Sequence, residues 1–546
     1  MPPFLRRSCL TPCRSRPPSW SPARVRLLSS PAATTAAVAF LLPRCPPVLP
    51  KTLPSLRATP RFLLSRSFHT SRCARDLAAT PEYTVAIVGS GPGGFYTAQK
   101  LLKDLPDVRI DVYEALPVPF GLIRFGVAPD HPEVKNVVHK FDALAQDPRL
   151  RLICNVRIDT DLTVDELRSS YDAVILAYGA SADKELGVAN ERNMPNVLSA
   201  RAFVGWYNAL PEYKDLDPDL ESSDTAVVIG QGNVALDVAR VLLAPLEDLA
   251  KTDIAEHALE KLRGSKIRHV YLLGRRGPLQ ISFTAKELRE MLVMPGLKLE
   301  IDPSVITNEV AAASDYPPNR ARTRLMDLVL QAASATPSVP PTRTWSLLFN
   351  ASPTELLSDP SDPSRLVGLR YEKTRLEGPP DAARAVPTGE FAVIPCGLLL
   401  RSIGYKSLPI SGVPFDSKRN VVPNKKGKVL DDEGEPIPGL YASGWVKRGP
   451  VGVIATSMYD ASETATSILS DIRCGDLGPG GESGTRGYAV MSQLLRERGV
   501  EPVLYEDWLA IDSAERKLGE LRGKPREKLA SLEEMLEVVR KGRSER

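Results

Sequence analysis

The chain has 546 residues, too many for one compact core, so at least two domains are expected. Its charged (25%) and apolar (43%) fractions are those of a globular protein and exclude collagen-like, coiled-coil and wholly disordered classes. The net charge of +4 comes from 70 basic and 66 acidic residues, a surplus that is unevenly placed along the chain.

The first 75 residues hold 13 Lys and Arg and no Asp or Glu, and are rich in Ser, Pro and Ala. That composition reads as a transit peptide over residues 1–75, and it points to the mitochondrial matrix or a plastid. Without it the balance becomes 57 basic against 66 acidic residues. The apparent basicity is therefore a targeting property, and no nucleic-acid partner is expected. The apolar run at Ala36–Leu42 is too short to span a bilayer. A soluble protein is expected, with no transmembrane segment and at most a peripheral association with the inner membrane. Four of seven cysteines fall in this leader; Cys154, Cys396 and Cys474 remain, far apart. No C-x-x-C dithiol and no zinc or iron–sulfur ligand spacing is present, so no metal is expected.

Thr84–Val88 is a short β-branched run of the kind found in buried parallel strands. It enters Gly89-Ser90-Gly91-Pro92-Gly93-Gly94, then a helix from Phe95, then the strand Arg109–Tyr113 ending on Glu114. Strand, G-x-G-x-x-G, helix, strand and acid form a dinucleotide-binding fingerprint. Gly89 permits the tight turn, Gly91 allows a pyrophosphate to approach the backbone, and Gly94 lets helix and strand pack closely. Glu114 is placed to accept hydrogen bonds from a ribose. The proline- and glycine-rich loop Pro117–Pro132 is expected to lack helix and to cover the nucleotide. A helix over Glu133–Ala145 and strands over Leu150–Val156 and Asp172–Ala180 complete this half, residues 80–182.

A second domain is expected over residues 183–405. Thr225–Ile229 leads into Gly230-Gln231-Gly232-Asn233-Val234-Ala235, the G-x-G-x-x-A variant. The next strand, Lys266–Leu273, ends in Gly274-Arg275-Arg276 rather than an acid. Two arginines there suit a ribose 2′-phosphate through charge-assisted forked bonds, so the second site is expected to take NADP(H) in preference to NAD(H). Arg320, Arg322 and Arg324 precede an expected helix over Leu325–Ala333 and form a local basic patch, which composition reads equally as an exposed helix start or as a docking site for an acidic partner. Ser334–Arg384 reads as surface strands and loops, and Phe391–Ile403 as a strand leading back to the first domain.

Residues 406–546 are expected to complete the first domain and to end in a helical segment. Gly439–Trp445 reads as a strand and Ala455–Leu469 as a helix, with the glycine-bearing turn Gly449–Ile454 between them. Such a helix N-terminus suits an electron-rich ring edge, with Trp445 beside it. The charged stretch Glu515–Arg546 reads as surface helix.

Two dinucleotide loops without a dithiol or metal imply a retained flavin, a diffusible NADP(H), and electrons that leave through a docked partner. At this point the chain resembles the mitochondrial NADPH:adrenodoxin (ferredoxin) reductase family of glutathione-reductase-like flavoproteins. The resemblance runs from about Tyr83 to the C-terminus. It rests on Val88–Tyr96, Pro119–Lys135, Ile229–Arg240, Gly274–Glu290 and Ser443–Thr456. It implies an α/β fold of two Rossmann-like domains, the NADP domain inserted into a discontinuous FAD domain. It implies FAD near Gly93, Glu114, Leu122 and Val156, with Trp445, Gly452, Val453 and Ile454 at the ring. NADP is implied at Gln231, Gly232, Asn233 and Val234, at Arg275 and Arg276, and at Glu287. His131 and Asp237 match polar residues beside the flavin, on routes for protons or partner coupling. Arg322 and Arg324 match the region that binds an acidic [2Fe–2S] ferredoxin. Gly93 stands where many relatives carry Ala, and Val451 where Thr is expected.

The implied activity is electron transfer from NADPH through FAD to that ferredoxin, serving iron–sulfur assembly or a P450-type hydroxylase. Two rivals stay open on the residues alone: a flavin monooxygenase or oxidase reacting with oxygen, and a redox-inactive nucleotide-binding adaptor.

Overall fold

A computed structural model describes residues 83–314, 316–317, 319–335, 340–478 and 486–546. The expected leader over residues 1–75 lies outside them. No helix of the described residues is long and apolar enough to cross a membrane.

Two sheets organise the described chain. The first has eight strands, in the order Asn424–Lys425, Lys428–Leu430, Pro436–Ala442, Ala173–Leu176, Tyr83–Val88, Val108–Tyr113, Leu150–Cys154 and Val503–Leu504. Its five central strands are parallel, and antiparallel pieces close both edges. The run Val85–Val88 is buried on both faces, which is why it reads as unbroken apolar sequence rather than as alternation. The second sheet has six parallel strands, ordered Val197–Ser199, Leu398–Arg401, Thr225–Ile229, His269–Leu273, Arg343–Leu348 and Leu297–Glu300. An antiparallel sheet of Ala351–Asp359, Asp362–Glu377 and Arg384–Pro395 is attached to it.

The chain leaves the first sheet for the second and later returns, and the two connections pair with each other. Ala182 and Asp183 lie antiparallel to Lys406 and Tyr405.

The structure corrects several expectations. The first nucleotide-loop helix starts at Pro92, inside the glycine motif, and runs to Asp104. A proline at the first helical position loses no intrahelical bond, so the motif is itself the first turn. The Pro117–Pro132 loop contains one helical turn, Leu122–Phe125, bracketed by Gly121 and Gly126. Phe120 before it has φ of 81° and Gly121 φ of 49°. A buried aromatic in left-handed backbone is held there by its packing on Phe95 and Trp508. The expected helix Glu133–Ala145 is interrupted at Asn136, giving Pro132–Lys135 and Val137–Ala145.

Arg320, Arg322 and Arg324 lie inside a helix, Arg320–Ser334, rather than before it. Asn319 caps it by accepting from the backbone N–H groups of Ala321 and Arg322. Within the presumed surface region, Arg343–Leu348 is a central strand with Trp345 fully buried. Leu398–Arg401 stays in the second sheet instead of leading directly back to the first.

The largest correction concerns Glu515–Arg546. Glu515 is completely buried between Arg124 and Arg526, and the side chains of Lys524 and Lys528 are 1% exposed. Charge density alone does not tell a solvated helix from a buried ionic network, because the partners are supplied from far along the chain.

Candidate functional site

The first glycine loop is built by close contacts. A Cβ on Gly94 would stand 2.1 Å from the Gly89 carbonyl oxygen, so only glycine lets this helix meet its strand. Gly89 has φ of +111°, which L side chains rarely adopt. At Gly91 a Cβ would meet nothing within 4 Å, so the backbone faces open space at the start of the 13-residue helix. Gly93 packs on Gly444 of the late strand–helix turn. Glu114 accepts hydrogen bonds from Ser90 N (3.1 Å) and Ser90 Oγ (2.6 Å), so its carboxylate is oriented over the loop. Ser90 Oγ also accepts from Phe120 N at 3.1 Å, tying the covering loop to the glycine motif. Leu122 begins the one-turn helix in that loop. Val156 is buried, and its N–H donates to the Glu114 carbonyl at 2.9 Å.

The second loop repeats this with changed details. Gly230 has φ of +134°, and a Cβ there would lie 2.2 Å from the Ser402 carbonyl oxygen. The helix Asn233–Leu243 starts at Gly232 without a side-chain cap. Asn233 Oδ1 instead accepts from Thr284 N at 2.9 Å, and the Gln231 carbonyl accepts from Ser282 N and Oγ. These bonds hold the segment Ser282–Thr284 against the mouth of the loop. Arg275 and Arg276 are exposed, while their carbonyls accept from Thr374 Oγ1 and Asn350 N. The attached antiparallel sheet therefore fixes the backbone and leaves both guanidinium groups free to turn toward an anion.

One cavity of about 840 Å³ joins the two halves. Gly230–Val234, Arg275, Arg276 and Ser282 line one side of it. Trp445, Val451, Gly452 and Val453 line the other, with Tyr405 between. Trp445 is half-buried with its ring 5.7 Å from that of Tyr405. Val451 and Val453 are 71% and 56% exposed and offer an apolar wall. Ile454 opens the 21-residue helix Ile454–Cys474, whose N-terminus also lacks a side-chain cap. Three uncapped helix N-termini, each beside a glycine that keeps side chains away, make a donor set for anionic phosphates and an electron-rich ring. This fits a dinucleotide in each half. At Val451, where Thr is expected, the backbone carbonyl accepts from the Arg448 guanidinium.

His131 and Asp237 meet in a second cluster. His131 Nε2 lies 2.8 Å from Glu290 Oε2 and 3.9 Å from Glu287 Oε2. Asp237 Oδ1 accepts from Arg240 at 2.7 Å, and Arg240 also grips Asp130. His131, Glu287 and Glu290 come within 4.8 Å of one another, but Arg240 Nη1 stands 3.9 and 3.8 Å from those two carboxylates. The guanidinium supplies the positive charge there. Burial, and then the Asp237 charge, push the Glu287 carboxyl up to about 7, against the pull of His131. Burial raises Asp237 too, with Arg240 opposing. Glu287 does not line the large cavity; it belongs to this cluster at its edge.

Sequence reasoning missed Tyr405, Ser402, Arg240 and Glu290. Their partners lie more than 100 residues away in several cases, as with His131 and Glu290, and no local spacing reports that. Among the described residues Cys154 and Cys396 are buried and Cys474 is exposed.

Replacing Gly94 by Ala is expected to abolish most flavin retention, since the new methyl cannot occupy a point 2.1 Å from a carbonyl oxygen. The ratio of visible flavin absorbance to protein absorbance checks this. An unchanged ratio would contradict the close-packing role.

Residues 83–305 match the pyridine nucleotide-disulphide oxidoreductase family. The chain is 49% identical over 500 residues to the NADPH:adrenodoxin oxidoreductase, mitochondrial, of Homo sapiens, covering 90% of this chain and 97% of that one. It is 45% identical to the protein of that name from Arabidopsis thaliana, over 87% and 98% of the two chains. Among solved structures it is similar to Mycobacterium tuberculosis FprA in complex with NADPH. That match has 38% identity and a TM-score of 0.77, over 84% of this chain and 99% of that one.

Proposed function

Since the chain belongs to the NADPH:adrenodoxin oxidoreductase family, we propose that it carries electrons from NADPH through FAD to a [2Fe–2S] ferredoxin in mitochondria. FAD, when bound, would supply the chemistry that couples a two-electron donor to a one-electron acceptor. The chain's own residues bind and orient. Gly89, Gly91, Gly93 and Gly94 would cradle the FAD pyrophosphate and Glu114 would hold its ribose, with Leu122 and Val156 beside the same nucleotide. Trp445, Gly452, Val453 and Ile454 flank the ring. Gln231–Val234 take the NADPH pyrophosphate, and Arg275 with Arg276 take its 2′-phosphate. Residues 80–182 and 406–546 act as the FAD-binding part, and 183–405 as the NADP-binding part. The observation that carries this reading is the cavity of about 840 Å³, lined by Gly230–Val234, Arg275 and Arg276 on one side and by Trp445 and Val451–Val453 of the other half, because a nucleotide held on the first side can meet a ring held on the second.

His131, Asp237 and Glu287 act beside that space as the groups that hold or yield a proton. A carboxyl raised to about 7 is protonated in the folded protein at pH values where an ordinary Glu is ionised. Its favourable contribution to the fold is complete below the ordinary carboxyl range and is lost as pH rises through about 7. Glu287→Gln is therefore expected to remove a titration near pH 7 from the rate of flavin reduction by NADPH, leaving a flatter profile. Persistence of the same inflection would assign it elsewhere.

The acidic ferredoxin docks on the patch of Arg320, Arg322 and Arg324. Arg320 and Arg324 are exposed, and Arg322 already holds Asp381 at 2.5 Å, so the first two carry most of the attraction. Peripheral contact with the inner membrane would use the same basic surface. The test of the whole reading is NADPH-driven reduction of cytochrome c with and without an added mitochondrial ferredoxin. Strong dependence on the ferredoxin is expected. Rapid NADPH consumption without it, with hydroxylated product, would favour a monooxygenase instead.

A further inference from the structure

The loop after the first nucleotide motif does not rest on its own half alone. Val127 O accepts from Asn208 Nδ2 at 3.1 Å, Asp130 pairs with Arg240, and His131 meets Glu290. A few residues on, Lys135 Nζ reaches Asp253 Oδ1 at 2.5 Å. Asn208, Arg240, Asp253 and Glu290 all belong to the part of the chain built on the second sheet.

A segment from near the C-terminus arrives at the same place. The helix Tyr505–Leu521 packs on the first sheet through Trp508 and Ile511, which share a core with Val85, Ile87 and Ile110. Beyond it, Lys528 Nζ donates to Asp253 Oδ2 at 2.9 Å and to Asn208 Oδ1 at 3.0 Å. Lys524 Nζ donates to the Ile254 carbonyl at 2.9 Å, and Glu527 accepts from Glu256 N at 3.0 Å. Asp253 is thus gripped by two lysines from opposite ends of the first half.

Burying a lysine costs solvation and side-chain entropy, and an ion pair returns that cost only when its geometry is fixed. Burial pushes Lys528 down to about 7, and the two lysines hold the Asp253 carboxyl below its usual range despite its own burial. Beside these groups lies a cavity of about 400 Å³, so close apolar packing does not seal this seam. Elsewhere the chain crosses between the two halves twice, and those crossings pair with each other over Ala182–Asp183 and Tyr405–Lys406. A two-residue strand pair defines an axis and leaves rotation about it free. A second fixed point is needed to define an angle.

We propose that Asp253 is the centre of that second attachment: a positioning residue which, by holding Lys135 and Lys528 amid the neighbouring contacts, sets the angle at which the two walls of the large cavity face each other. The proposal rests on the oxidoreductase reading above, in which electron transfer requires a defined approach of the two nucleotides. Asp253 does not line the large cavity, so its effect is on geometry and not on nucleotide contacts.

The holoenzyme variants Asp253→Asn and Asp253→Glu, with Lys528→Met as an independent break, provide the test. In Asp253→Asn, kcat for NADPH-driven ferricyanide reduction is expected to fall about tenfold or more, since a small misplacement of reactants is costly. The KM for NADPH and the Kd for NADP+ by calorimetry are expected to stay near wild type. Hydrogen exchange is expected to accelerate at residues 127–135 and 205–210 and not across the molecule. Asp253→Glu should restore most of kcat, and Lys528→Met should show the same signature more weakly. An unchanged kcat would overturn the proposal. So would a lost kcat accompanied by faster exchange throughout, or by lost NADP+ binding, since those mark general destabilisation or a damaged pocket. Absence of NADPH-driven reduction in the wild-type protein would instead defeat the parent reading and is read separately.

Discussion

Changing Arg275 and Arg276 together to alanine is expected to weaken NADPH binding by about 100-fold or more, while NADH binding stays nearly unchanged. Hydrogen bonds to a charged group each contribute about 1.5–3 kcal/mol, and two guanidinium groups are removed at once. Both arginines are exposed at the cavity rim, and their carbonyls are held by Thr374 and Asn350. The backbone therefore keeps its course when the side chains are shortened, and the loss falls on the 2′-phosphate alone. Calorimetric titration with both nucleotides decides the matter. Equal losses for NADPH and NADH would show that the pair supports the loop rather than reading the phosphate. Raising the salt concentration should narrow the preference, because exposed charges are screened within about 8–10 Å at ordinary ionic strength.

A comparable effect on stability is expected from Glu515→Leu. Glu515 is completely buried, pairs with Arg124 and Arg526, and also accepts from Leu529 N at 3.0 Å. Arg124 is 5% exposed and packs its guanidinium against the Phe125 and Trp508 rings. Leucine would leave its charge without a counter-ion, and breaking a buried pair from one side costs about 3–5 kcal/mol. The loss should appear as a clear fall in the thermal unfolding midpoint and as release of the helix Tyr505–Leu521 in hydrogen exchange. Changing Arg124 to Met in addition should recover part of it, because the stranded charge is then gone. If the double variant is no more stable than Glu515→Leu, the stranded-charge account fails and the lost packing of the segment is the cause.

The two nucleotide loops were legible because each is a local event. A β-branched strand, glycines at fixed spacing and a helix start lie within about twenty residues, and every requirement acts on neighbouring atoms. The clash of a Gly94 Cβ with Gly89 O and the left-handed Gly230 are properties of such short stretches. The acid at Glu114 and the arginines at 275 and 276 follow for the same reason, since each stands where the neighbouring parallel strand ends beside the loop.

The charged C-terminal stretch was misread because burial of charge depends on distant partners. Glu515 finds Arg124, and Lys528 finds Asp253 and Asn208, across 391, 275 and 320 positions. The strand Arg343–Leu348 was hidden likewise: its place between His269–Leu273 and Leu297–Glu300 is set by sheet order, which composition does not encode.

By itself the amino-acid sequence determined two glycine loops of dinucleotide spacing, the pair of arginines that ends the strand beside the second of them, and the family to which the chain belongs. Those properties reside in contiguous residues whose backbone geometry is dictated by steric limits on a few dihedrals. Only the tertiary structure decided that the second loop and the late turn Trp445–Val453 line one cavity, that Tyr405 stands beside Trp445, and that His131, Glu287, Glu290 and Arg240 share one cluster. Those are relations between segments far apart along the chain, set by which apolar faces and buried charges find partners when the two sheets come together.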